Sequence, residues 1–319
     1  SAYSNRSYYG EHVEVLDNEI SGYDAGSYVY GPYIFDNSTA RIENNMIRNN
    51  KGSNGFYGTY FYRCDAESTL HNNVMYNNEG KWFRGIYTGN CSDASISHNT
   101  VICNKNTSEY LRAIYFNNSS FTVPSNFSVK NNIFTITGVS TTSKEHYGIY
   151  ARYQADKIDW GSNVFYTDQP VRYYANSATP YTKWDDWFAN SGDNSSVFVN
   201  PEFANIANGD IKPTNPLIAN IGVPNITSED IDAVTRSACG PDPGAYEFFV
   251  DHSVSNLSSL PSTICGGQIK DISFDISNGS SSTVNDLNVY YSLNGNIINE
   301  KVTTINGNST VNYTFTESP

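Results

Sequence analysis

Arg84 and Arg112 are the residues of this chain whose placement asks for a chemical partner. Aligning the segments around Ile86 and Ile114 sets each arginine two residues before the aligned isoleucine, with Gly58 and Tyr147 in the corresponding places on either side. If these segments are neighbouring strands, two guanidinium groups lie one strand spacing apart on one face. Like charges that close repel unless an anion lies between them, and a carboxylate or sulfate suits the paired N–H donors of guanidinium. The plainer expectation is that Glu79 and Glu109, in adjoining loops, neutralise them. Lys81, Trp82, Tyr110 and His146 stand beside the arginines in sequence, and together with Arg84, Arg112 and Tyr147 they form the candidate glycan-binding set. Aromatic rings next to polar side chains suit sugars, whose C–H faces stack on rings while their hydroxyls seek amides.

The same residue types define the catalytic alternatives. A lyase acting on a polyuronate needs a cation for the carboxylate, a base and a proton donor; the candidate set offers these types without a lyase motif. A glycosidase needs two carboxylates ~5–9.5 Å apart. Asp65 with Asp93 and Glu79 with Glu109 are the candidate pairs, solvated surface being the plainer reading of both. No catalytic residue is assigned. The five cysteines make no CxxC or Cys/His spacing, so no metal is expected from them. Cys64 and Cys91 are expected to stack, as a disulfide or as a buried free pair; Cys265 is expected to pair with Cys239 or with a cysteine beyond Pro319. His71 and His98 are expected at turns. Calcium is the one cofactor with any support, from oxygen ligands in turns such as Asn208-Gly209-Asp210.

Two ladders must position these residues. Val15-Leu16-Asp17-Asn18-Glu19-Ile20 returns as Ile42-Glu43-Asn44-Asn45-Met46-Ile47, and again around Asn73, Asn99 and Asn132. A looser copy, running from Ile158 to Phe165 through Asn163, carries two extra residues. A second pattern lies between the copies, centred on Ile34, Tyr60, Ile86, Ile114 and Ile149. Both recur roughly every 27 residues, the signature of a solenoid rather than of hairpins. The expected fold is all-β: a parallel β-solenoid whose recurrent asparagines occupy turns, tolerate left-handed geometry and stack as an amide ladder. The longest loops are expected to be 49–58, 77–83, 104–111 and 137–146, carrying Phe56, Tyr57, Phe83, Lys105, Lys144 and Glu145 among others.

Composition bounds the rest. The 319 residues suggest about two domains. Lys+Arg 19 against Asp+Glu 32 gives a net charge of −13, which disfavours nucleic acid and anionic membrane surfaces as partners. No apolar run approaches the ~18 residues of a membrane span. The chain opens at Ser1-Ala2-Tyr3-Ser4 as a mature form or a fragment would.

Beyond residue 170 the ladders fade into a series of short motifs. These are Asn200-Pro201-Glu202-Phe203, Asn215-Pro216-Leu217-Ile218, Asp230-Ile231-Asp232-Ala233-Val234-Thr235-Arg236 and Gly244-Ala245-Tyr246-Glu247. The series resembles the C-terminal end of secreted right-handed parallel β-helix proteins of the pectin-lyase-like superfamily, with Asn200, Asn215 and Ala233 departing from the usual Asp, Ser and Gly. The resemblance covers residues 1–249, read as a β-helix with a capping tail, and implies fold and export rather than a reaction. Residues 250–319 alternate cleanly, with Asn294-Gly295 as a hairpin turn, and read as a partial β-sandwich. They resemble the CARDB-type, immunoglobulin-like adhesion modules of bacterial surface proteins. The combined expectation is a secreted or cell-surface protein, part of a longer multidomain chain, that contacts a polysaccharide and is adhesive rather than catalytic. A polysaccharide lyase or hydrolase and a structural spacer of a large adhesin are the alternatives.

Overall fold

The protein is described by a computed structural model, apart from residues 38, 65–66, 92, 106–108, 118–125, 139–144, 153–154, 169–171, 176–182, 239, 249–251, 259–270, 279–282, 294–295, 308 and 317–319. It divides into two compact units, Ser1–Phe249 and Val250–Pro319.

In the first unit every coil gives one strand to each of three parallel sheets. Sheet A stacks Ala2–Tyr8, Tyr28–Phe35, Lys51–Tyr62, Glu79–Gly89, Tyr110–Phe116, Glu145–Ala151 and Arg172–Ala175. Sheet B stacks His12–Leu16, Thr39–Glu43, Ser68–His71, Ala94–Ser97, Ser128–Lys130 and Asp159–Gly161. Sheet C stacks Glu19–Ser21, Met46–Arg48, Val74–Tyr76, Thr100–Cys103, Ile133–Ile136, Val164–Thr167 and Val197–Phe198. Alternation in each strand sends one set of side chains inward, so columns such as Ile42, Leu70, Ile96 and Val129 build a continuous core.

The turn from sheet B to sheet C uses two residues for two jobs. The first takes left-handed backbone: Asp17, Asn44, Asn72, His98, Asn131 and Ser162 have φ between 52 and 57°. The second points inward and carries the amide ladder. Nδ2 of Asn45 donates to Oδ1 of Asn73 at 2.9 Å, and the relay passes at 2.9 Å through Asn99 and Asn132 to Asn163 before ending on Ser196 at 3.2 Å. Each amide also satisfies backbone groups of its own and the adjoining coil, which is how a buried turn escapes the penalty of unpaired polar atoms. The expectation had placed left-handed geometry and ladder on one asparagine; the structure separates them. His98 occupies a left-handed turn position as expected, whereas His71 ends a strand. A second ladder, Asn50 to Asn78 at 3.0 Å, lines the turn from sheet C to sheet A. At the turn from sheet A to sheet B, Cys64 and Cys91 take the equivalent place. The Cys64 N–H donates to Cys91 Sγ at 3.4 Å, and both thiols are free and buried.

Two expectations about sheet A need correction. Residues 51–58 and 79–83 are strand, not loop, because they pair in register with the coils beside them: Glu79 with Lys51, Phe83 with Phe56. The second ladder is also slipped by one residue in its first coils. Ile34 pairs with Phe61 and Tyr60 with Tyr87, while Ile86, Ile114 and Ile149 do stack. The aligned residue before Arg84 is therefore Tyr57, not Gly58.

The tail closes the coil in one place and flanks it in another. Helix α1 (Trp184–Ser191) seats a fully buried Trp187 on Trp160 at 5.1 Å and closes the end of the core. The remainder is not an end cap. Ile211, Ala245 and Tyr246 pack on Val74, Tyr76 and Ile102, and Ile218 on Ile133 and Val164, covering the outer side of sheet C. Arg236 fastens it, donating to Glu247 at 3.1 Å, to the Gly244 carbonyl at 2.9 Å and to Oδ1 of Asn72 in the coil at 3.0 Å.

The second unit holds two antiparallel sheets, His252–Ser255 with Ser273–Asn278 and Ser309–Thr314, and Val284–Leu293 with Asn296–Ile305. They share a core of Ile272, Phe274, Ile276, Val289, Val302, Ile305 and Phe315. Leu293 pairs with Asn296; Asn294-Gly295, expected as a hairpin turn, lies outside the described residues, as do Cys239 and Cys265.

Candidate functional site

The outer face of sheet A is built by a four-residue motif: Tyr57-Gly58-Thr59-Tyr60, Arg84-Gly85-Ile86-Tyr87, Arg112-Ala113-Ile114-Tyr115 and Tyr147-Gly148-Ile149-Tyr150. The first and fourth residues face out while the second and third are buried, a local irregularity in the pleat. Only a small residue fits the second place. A Cβ on Gly85 would stand 2.5 Å from the Ala113 carbonyl oxygen of the next coil.

Stacking then writes two columns on the face. In one, Tyr3, Tyr30, Tyr57, Arg84, Arg112 and Tyr147 are successive register partners. In the other the order is Arg6, Tyr33, Tyr60, Tyr87, Tyr115 and Tyr150. The tyrosine rings lie on one another, Tyr33 on Tyr60 at 4.4 Å and Tyr60 on Tyr87 at 4.6 Å, both nearly parallel. From Tyr33 to Tyr87 ring faces are thereby spent within the ladder, whereas Tyr87 with Tyr115 and Tyr115 with Tyr150 meet edge to face, both at 85°. Burial pushes the Tyr60 and Tyr87 hydroxyls up, so they stay protonated donors.

Arg84 and Arg112 interrupt the aromatic column as adjacent register partners. The Arg84 guanidinium lies 4.6 Å from the Tyr57 ring centre and 5.3 Å from that of Tyr115. Arg112 lies 3.9 Å from Tyr150 and 4.4 Å from Tyr115. Ring quadrupoles stabilise the cations from their sides without neutralising them. Among the described residues Arg84 makes no ion pair, and its Nε is buried without a hydrogen-bond partner. Burial and the charge of Arg112 hold its pKa below the ordinary arginine value. In a chain of net charge −13, this is a local concentration of positive charge.

The expected neutralising carboxylates are engaged elsewhere. Glu79 lies 3.5 Å from Lys51, and Glu109 lies 3.3 Å from Lys81. Glu79 and Glu109 are thus not a stacked pair. Of the other carboxylate pair, Asp93 accepts from the Asn126 N–H at 3.0 Å, while Asp65 lies outside the described residues. Trp82 faces out, stacked on Tyr110 at 3.9 Å, so these two form a platform at one side of Arg84. Lys81 is exposed beside it. Tyr147 keeps its place in the arginine column but is buried beneath it.

His146 does not reach this face. It continues the inward column of Phe56, Phe83 and Leu111, and burial lowers its pKa. Alternation within the strand explains this: a residue adjacent to outward Tyr147 points in. Phe56 and Phe83 are core for the same reason. Lys144 lies outside the described residues. Sequence reasoning missed Tyr57, Tyr87, Tyr115 and Tyr150 as the cradle of the arginines; the spacing of the repeated four-residue motif was the available signal. Asn208-Gly209-Asp210 closes a tight turn on Asn205, whose carbonyl accepts from the Asp210 N–H at 3.0 Å. Among the described residues no group of three or more His, Cys, Asp or Glu side chains converges on a metal position.

The family model described as right handed beta helix region matches residues 3–165, just over half of the chain. No curated protein and no solved structure matches it.

Proposed function

The chain belongs to the right-handed β-helix family, and on that premise we propose that it is a secreted or cell-surface protein whose sheet A face contacts an acidic polysaccharide, holding the chain rather than cleaving it. One observation carries the reading: Arg84 and Arg112, one coil apart in an aromatic cradle, with Arg84 making no ion pair among the described residues and Glu79 and Glu109 lying against Lys51 and Lys81. A uronate carboxylate or a sulfate ester between them would accept charge-assisted hydrogen bonds from N–H edges that ring stacking leaves pointing outward. The Trp82–Tyr110 platform and the tyrosine hydroxyls would meet the neighbouring sugars. Successive coils lie about 4.8 Å apart, so a polymer laid along the coil axis would meet the two arginines in succession and tyrosines on either side of them. The second unit, with its two antiparallel sheets, fits an adhesive module.

A panel of immobilised uronate, sulfated and neutral polysaccharides tests the proposal. Retention on acidic members is expected, weakened roughly 10- to 100-fold in Arg84→Ala, the loss expected for a charge-assisted contact. Release of unsaturated uronate or reducing ends by the wild-type protein would favour the lyase or hydrolase reading instead. Equal retention of wild type and variant would remove the arginine site.

A further inference from the structure

Sheet B carries a second constellation, on the outer side of the coil where the tail residues Val223 and Ile226 reach only the rim. Ser95 Oγ lies 3.0 Å from Nε2 of His71 in the coil beside it. His71 Nδ1 faces Oε1 of Glu43, one coil further, at 3.9 Å. Glu43 is itself fixed, accepting from Arg41 at 2.7 Å and from the Thr69 hydroxyl at 2.5 Å. The three residues thus come from three consecutive strands: Thr69 is the register partner of Ser95, Glu43 that of His71, and His71 reaches Ser95 diagonally. Two adjoining cavities of about 490 and 390 Å³ open here, and both are lined by Ser95 and Asn126. Lys130, which lines the smaller one, is 2.5 Å from Asp159.

We propose that Ser95, His71 and Glu43 form a nucleophilic serine site that hydrolyses small O-acyl esters. The parts have the required relations: nucleophile against base, base facing an anchored carboxylate, and open volume on the nucleophile. A contact of 3.9 Å is looser than a hydrogen bond, as such contacts often are before substrate binds. Burial keeps His71 neutral, the form that accepts a proton. Ser95 Oγ attacks the ester carbonyl carbon as its proton passes to His71 Nε2. The tetrahedral intermediate collapses, the C–O bond to the alcohol breaks, and the alcohol leaves with the proton from His71. Water then attacks acyl-Ser95, giving its proton to His71, and the carboxylic acid departs as the proton returns to Ser95 Oγ. The sum is ester plus water giving alcohol plus acid. Ser95 and His71 are the catalytic residues. Glu43 is a positioning residue. That the alcohol is a sugar of an acylated polysaccharide rests on the function proposed above; the hydrolytic site does not.

The test uses the whole chain with three probes: 4-nitrophenyl acetate, a fluorophosphonate, and an O-acetylated acidic polysaccharide. Turnover of the nitrophenyl ester is expected, with the phosphonyl group mapped by mass spectrometry to Ser95. Ser95→Ala should lose roughly 100-fold or more, and the Ser95→Ala/His71→Gln pair little beyond that, because the residues act as a unit. Glu43→Gln should move the acid limb of the rate profile to lower pH, since the lost charge had raised the His71 pKa. Absence of both turnover and labelling in folded wild-type protein would overturn the site while leaving polysaccharide retention intact. Turnover and labelling without polysaccharide retention or acetate release would support the site and overturn the sugar assignment.

Discussion

Three histidines on or inside the coil are held neutral by burial, and their linkage to folding sets a pH dependence. His71 is lowered from 6.5 to about 4, His98 well below its ordinary value, and His146 downward. The unfolded chain takes up these protons as pH falls through 6.5, whereas the folded chain resists. The stability they contribute is therefore complete above 6.5 and is lost as pH falls toward 4, His71 accounting for on the order of 3 kcal/mol. Glu247 acts in the opposite sense. Burial and Asp242 raise it to about 7, which favours the folded state at low pH. A substitution comparison isolates the histidine part. His146→Leu extends the apolar column of Phe56, Phe83 and Leu111. It should match wild type in urea midpoint near pH 7.5 and exceed it near pH 4.5. An equal fall in both proteins would mean that His146 titrates as in the unfolded chain.

At the scale of the element, the coils depend on a small residue, glycine in three and Ala113 in one of the four copies, where the outward pattern skips a residue. A Cβ at Gly58 would meet Met75 Sδ and stand 2.5 Å from the Gly85 carbonyl oxygen. Gly58→Ala should cost about 1–3 kcal/mol in urea unfolding, as overpacking of a filled interior does; an unchanged midpoint would show that the coils can separate locally. The same feature explains what the sequence disclosed and what it hid. The asparagine ladder was legible, down to the looser copy at Asn163, because one side-chain type is repeated at one turn and nothing else satisfies that backbone. Sheet A was legible as a stack of strands, but its register was not. Tyr33-Ile34-Phe35 and Tyr60-Phe61-Tyr62 are aromatic or aliphatic at every position, so apolar pattern alone cannot separate inward from outward positions. The Arg84–Arg112 pairing survived this slip because Ile86 and Ile114 do stack. His146 was misplaced onto the face because 137–146 was read as loop, where alternation has no force. The Ser95–His71 contact joins residues on neighbouring strands and leaves no local trace in the sequence.

For the molecule as a whole, the division of surfaces is the organising fact. The tail covers the outer side of sheet C, leaving the aromatic, arginine-bearing face of sheet A to other uses. Arg236 and Glu247 are both nearly buried where the tail meets the coil. Removing the guanidinium strands a buried carboxylate and leaves Asn72 without its donor. Arg236→Ala should therefore cost about 3–5 kcal/mol and expose the tail to limited proteolysis before the coil; simultaneous cleavage of both would show that the tail is not a separately held layer. The central claim concerns the other face, that sheet A binds the negative charges of a polysaccharide through Arg84 and Arg112. The most direct measurement is a calorimetric titration with one uronate polysaccharide and with the same polymer after reduction of its carboxylates to alcohols. Saturable binding of the acidic form, weakened at least roughly tenfold by carboxylate reduction and by Arg84→Ala alike, is the expected result. Equal binding of the two polymers, or binding by neither, would contradict it.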